Sequence, residues 1–84
     1  MKYAVEILRS AQKQLSKIDP HDRPRLIEAI RALGENPRPE GCKKLSGRRA
    51  WRIRVGHYRI IYEIHEDRLV LLVVAVGHRR DVYR

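Results

Sequence analysis

Three arginines set two and five residues apart, Arg52, Arg54 and Arg59, stand in the stretch "WRIRVGHYRIIY". Read as two strands, the stretch alternates: Trp51, Ile53 and Val55 point one way, Arg52 and Arg54 the other. Gly56-His57 makes a two-residue turn, with glycine first as a type II′ hairpin prefers. Pairing Val55 with Tyr58 then sets Arg54 opposite Arg59, with Arg52 two residues along on the same face. Like charges directly opposite on a sheet are destabilising. One resolution is a carboxylate that neutralises the pair, but Glu63 falls near the other end of the ladder, opposite Ala50. The other is an anion, and phosphate is the natural guest because guanidinium forks match its geometry. Arg79, Arg80 and Tyr83 follow the last apolar run and come within reach of the same sheet end if that run neighbours the second strand of the hairpin. That many cations on one phosphate exceeds what binding requires. It suits the extra charge of a phosphoryl-transfer transition state.

These residues need a scaffold. Eighty-four residues make one domain, 1–84, with a modest core. Residues 2–8 alternate Tyr3, Val5, Ile7 against Lys2, Ala4, Glu6, a first strand with one buried face. Ser10 can cap a helix through Ile18, whose Ala11, Leu15 and Ile18 recur at helical spacing. Asp19 or Asp22, with Pro20 or Pro24, opens a second helix to Leu33, and Gly34 is placed to end it in the left-handed conformation. Residues 35–50 read as a loop by composition, delivering Lys43, Lys44, Arg48 and Arg49 to the start of the arginine hairpin. "LVLLVVAV" (69–76) shows no polar alternation and reads as a central strand covered on both faces. Gly77 releases it into the tail. The expected fold is α+β, in the order β-α-α-β-β-β. A helical hairpin lies on one face of a twisted, mostly antiparallel sheet. Periodicity leaves the strand order open.

Charge narrows the function. Nineteen Lys and Arg stand against ten Asp and Glu, a net +9. Residues 1–42 carry eight basic and six acidic side chains, net +2; residues 43–84 carry eleven and four, net +7. A basic half points to a polyanion, most often nucleic acid. Lys43, Lys44, Arg48, Arg49 and Arg80 are therefore expected to contact RNA backbone. The single Cys42 allows no intrachain disulfide and suits a reducing compartment. The longest apolar run is too short for a membrane helix, so a cytoplasmic protein is expected. His21, His57, His65 and His78 show no metal-ligand spacing, so no cofactor is expected.

"KLSGRRAWRIRVGHYRIIYEI" followed by "VLLVVAVGHRRDVYR" resembles the RelE/ParE superfamily of type II toxin–antitoxin toxins, and its RelE branch best. The resemblance covers nearly the whole chain. It implies a metal-independent endoribonuclease, an mRNA interferase that cuts mRNA in the ribosomal decoding site and inhibits translation. It also implies a cognate antitoxin whose acidic segment wraps the toxin. The family's catalytic basic residues fall on Arg52, Arg54, Arg59 and Arg79, and its tyrosine on Tyr83. In such toxins the RNA 2′-hydroxyl attacks the adjacent phosphate. Some members carry lysines where this chain has Arg52 and Arg54. Arginine does not give up its proton, so the general base is open: Tyr83, His78 or, more weakly, His57. Two other functions share the fold and charge, a ParE-like inhibitor of DNA gyrase and a non-catalytic nucleic-acid-binding module.

Overall fold

The computed structural model describes residues 2–78. The chain opens with β1 (Ala4–Ile7); Tyr3 and Ile7 pack against the core as the alternation predicts, whereas Val5, expected on the same buried face, is 36 % exposed. Helix α1 (Arg9–Ser16) follows at once. The Leu8 amide still donates to the Val73 carbonyl of the sheet, while the Leu8 carbonyl already accepts from Gln12. The turn from strand to helix is thus made at Leu8, and Ser10 lies inside the helix rather than at its cap. Helix α2 (Arg23–Glu35) has Asp22 at its cap position and proline in its first turn. Arg23 reaches back to the carbonyls of Ser16 and Ile18, both at 2.9 Å. It thereby satisfies acceptors that the end of α1 leaves free.

Gly34 does not end α2 in a left-handed conformation. It is helical and buried, and the helix runs on to Glu35. A Cβ at this position would lie 2.9 Å from Val5 Cγ2 and 3.1 Å from the Tyr3 carbonyl oxygen. The glycine is there because α2 crosses β1 at backbone contact, and the Tyr3 amide donates to the Gly34 carbonyl at 2.8 Å.

Four further strands complete a five-stranded sheet: β2 (Lys43–Lys44), β3 (Trp51–Val55), β4 (Tyr58–His65) and β5 (Val70–His78). Their order is β1-β5-β4-β3-β2, with β1 parallel to β5 and every other pair antiparallel. The architecture is the expected α+β layer with one strand more. β2 lies inside the segment that composition marks as loop. The long apolar run is interior but second from the edge, and β4 is the middle strand. Only the helix-side residues of β5 (Leu71, Val73, Val76) are buried; Val70, Leu72, Val74 and Ala75 stay half-exposed. β5 also continues through Gly77, which pairs with Arg59.

The core fills the space between the helices and one sheet face. Ala11, Ile18, Leu26, Ile30 and Leu33 from the helices meet Ile53, Ile60, Tyr62, Leu71, Val73 and Val76. Trp51, Val55 and Tyr58 pack at its margin. The Tyr62 hydroxyl, carried into this core, donates to the Pro37 carbonyl at 2.7 Å. Burial pushes its phenol well above the ordinary tyrosine range.

Candidate active site

The hairpin forms in the register read from its alternation. Val55 pairs with Tyr58, Arg54 with Arg59, Ile53 with Ile60 and Arg52 with Ile61. Gly56 has φ 61° while His57 does not enter positive φ, the type II′ pattern. The face away from the helices therefore carries Arg52, Arg54 and Arg59, as expected. Across β5 the same rows continue into Ala75, beside Ile61, and Gly77, beside Arg59. Next to the guanidinium groups β5 contributes a methyl group and a hydrogen atom, and no bulky side chain.

The three arginines differ in setting. Arg54 is exposed and Arg59 half-buried, whereas Arg52 is only 7 % exposed. The buried Nε of Arg52 has no hydrogen-bond partner. No ion pair among the described residues includes Arg52 or Arg54. Glu63 shares the face but is held at 2.9 Å by His65. A buried guanidinium without an anion is costly, and an incoming phosphate would relieve that cost.

Lys43 joins this face. β2 pairs Lys43 with Arg52 and Lys44 with Trp51, so the two lysines point to opposite sides of the sheet. Lys44 belongs to a cleft of about 550 Å³ on the other side, lined by Arg38, Arg49, Trp51 and Glu66 among others. There Arg38 lies over the Trp51 ring at 5.1 Å and bonds Glu66 at 2.6 Å. Arg48 and Arg49 are exposed in the loop joining β2 to β3. Composition hid β2, but its signal was present. Ser-Gly at 46–47 marks a turn, and folding back around it sets Leu45 against Ala50, Lys44 against Trp51 and Lys43 against Arg52.

His78 is placed apart from the arginines. It pairs with Tyr58, a residue of the helix-side face, and its ring meets the Tyr58 ring edge-on at 5.9 Å. His57 stacks on it at 6.2 Å. The Tyr58 hydroxyl donates to Asp22 at 3.0 Å, which raises the phenol's pKa. The cause of the displacement is a β-bulge. Ile61 pairs with Ala75 but Tyr62 with Val73, so Val74 is one residue too many on β5. An extra residue reverses the alternation beyond it. Simple counting from Val73 would have put His78 with the arginines; the bulge sends Ala75 and Gly77 there instead. The Gln14 side chain accepts from the Val76 amide at 2.8 Å just past the irregularity. Arg79, Arg80 and Tyr83 lie outside the described residues.

The family described as the ParE toxin of type II toxin–antitoxin systems matches residues 5–83. This chain is a member of that family. Among its relatives is the toxin RelG of Mycobacterium tuberculosis, 30 % identical over 88 residues, covering 100 % of this chain and 99 % of RelG. The fold matches the archaeal RelE–RelB complex of Pyrococcus horikoshii with a TM-score of 0.83. That match has 26 % identity and covers 98 % of this chain and 100 % of the other. It matches the intact RelBE toxin–antitoxin complex of Escherichia coli with a TM-score of 0.79. There the identity is 26 %, over 90 % and 95 % of the two chains. The chain is thus a toxin of RelE/ParE type, and the expected family and fold hold. Among the described residues no helix is long and apolar enough to cross a membrane.

Proposed function

We propose that this toxin is a ribosome-dependent mRNA interferase whose arginine face holds the scissile phosphate. The supporting observation is Arg52, nearly buried with an unpartnered Nε, beside a rung where Arg54 stands against Arg59. Arg52, so placed, lacks an anion, and a phosphate in transfer supplies one. The RNA 2′-hydroxyl attacks the adjacent phosphorus and the bond to the 5′-oxygen breaks, leaving a cyclic phosphate and a free 5′-hydroxyl. The guanidinium groups stabilise the charge that builds on the non-bridging oxygens. Arg79 and Tyr83 complete this set in the proposal, and Lys43, Lys44, Arg48, Arg49 and Arg80 hold RNA backbone in the decoding site. The cognate partner is an antitoxin, in keeping with the RelB-bound neighbours. We expect an acidic segment of it to cover the arginines.

Primer extension on a defined mRNA in a reconstituted translation system tests this reading, with wild type beside Arg59→Ala. Cuts inside codons that require ribosomes should appear, and Arg59→Ala should weaken them by about 10²-fold or more. The family is also named for ParE, so inhibition of DNA gyrase is the competing action. A folded, antitoxin-free protein that leaves mRNA intact and traps gyrase on DNA would replace the first reading with the second.

A further inference from the structure

Transfer of the phosphoryl group leaves one requirement that arginines do not meet. As the bond from phosphorus to the 5′-oxygen breaks, that oxygen must gain a proton. Arg52, Arg54 and Arg59 stabilise charge but keep their protons. The histidines that could serve are elsewhere. His57 and His78 stack together at the margin of the helix-side face. His65 shares the arginine face but lies six residues along β4 from Arg59, roughly 20 Å at strand rise, and is bound to Glu63.

The remaining proton donor among the described residues near the arginines is Lys43. Its strand is two residues long, and its register sets Lys43 directly across from Arg52, on the face of Arg54 and Arg59. Lys43 is exposed, so a bound RNA could meet it. An ammonium group offers three rotatable donors on a flexible stem, and unlike guanidinium it can part with one. Diagonal neighbours across a sheet, ~7–8 Å apart, are within reach of long side chains. The register thus puts the rungs of Arg52 and Arg54 within the span of an extended Lys43 side chain.

We propose that Lys43 is the general acid of this site, donating a proton from Nζ to the departing 5′-oxygen; this rests on the ribonuclease reading above. The 2′-oxygen forms its bond to phosphorus and loses its proton to a solvent base such as hydroxide. The bond from phosphorus to the 5′-oxygen breaks, its electron pair stays on that oxygen, and the Lys43 proton completes the 5′-hydroxyl. Lys43 is then reprotonated from water.

The test uses two mRNAs in the reconstituted translation system. One is ordinary; the other carries a single bridging sulfur in place of the 5′-oxygen at the cleavage position. A thiolate leaves without needing a proton. Lys43→Ala and Lys43→Arg should both cut the ordinary mRNA about 10²–10⁴-fold more slowly than wild type, the range of general acid catalysis. On the sulfur-bridged mRNA both should come within a few-fold of wild type. Lys44→Ala, on the opposite side of the sheet, provides the comparison, because weaker RNA binding slows both mRNAs equally. Equal losses on both mRNAs for the Lys43 variants, or no loss on either, would overturn the assignment. A wild type that cuts neither mRNA overturns the ribonuclease reading itself and takes this proposal with it.

Discussion

The two faces of one sheet use the same strands to opposite ends. On the helix side, Ile53, Ile60, Leu71, Val73 and Val76 are closed off from water, and the hydroxyl of the buried Tyr62 has its acceptor. On the other side, Arg52 is almost as deeply buried but its Nε has none, and Arg54 faces Arg59 across the ladder. Both faces are close-packed at their centre, since Ile61 beside Arg52 is 1 % exposed. Burial therefore does not distinguish them; charge does, since the same strands turn apolar side chains to the helices and guanidinium groups to the other side. In the proposed function the first face holds the fold together and the second is completed by an anion. Strain of this kind, set beside an otherwise satisfied core, is what a functional site is expected to show.

The contrast is open to test by exchanging what each face tolerates. Replacing Arg54 and Arg59 together by leucine should cost the largest amount of activity, about 10³-fold or more in ribosome-dependent cleavage. The melting temperature should hold or rise, because a like-charge rung is removed. A clear loss of thermal stability would mean that the arginines are structural and the two faces alike. Tyr62→Ala should do the reverse. It empties a core site and costs about 3–5 kcal/mol, read as a lowered denaturant midpoint. A mild effect would show that the helix-side face is less tightly specified than its burial indicates.

Gly34→Ala sharpens the comparison at the seam between α2 and β1. An alanine in an unhindered helix would gain about 1 kcal/mol over glycine. Here its Cβ meets Val5 Cγ2 and the Tyr3 carbonyl, so we expect a loss of about 1–3 kcal/mol. Adding Val5→Ala should recover part of that loss, and a stabilised Gly34→Ala protein would refute the close crossing.

The smallest effect is in alkaline solution. The folded Tyr62 phenol titrates above its unfolded value of about 10. Its contribution is therefore complete below about pH 10 and is lost as pH rises toward the folded value. Thermal melts should fall more steeply above about pH 10 in wild type than in Tyr62→Phe, which at neutral pH costs about 1 kcal/mol for the lost bond to Pro37. Parallel curves would mean that another group governs the alkaline transition.

How far each feature could be read from the chain follows from the range of the interaction that fixes it. The hairpin and its arginine rung were legible because period-two alternation and a Gly-His turn are both local. Helix positions in Ala11, Leu15, Leu26 and Ile30 were legible for the same reason. The role of Gly34 is not legible locally, because the same residue type serves a left-handed helix end and a close crossing, and only the position of β1 decides between them. β2 was missed because two residues carry no periodicity. Arg79, Arg80 and Tyr83 remain sequence-level assignments.

The sequence by itself determined that Arg54 would oppose Arg59 and that Arg52 would share their face, since both follow from counting residues out from one turn. Only the tertiary structure decided which other side chains stand beside them. Lys43 reaches the arginines through a pairing formed across the 46–49 loop. His78 is turned away by one extra residue at Val74, set by the match of β5 to β4 rather than by anything in β5 alone. The side on which a strand residue projects is a matter of parity, and parity carries reliably along a hairpin but not past an unseen bulge.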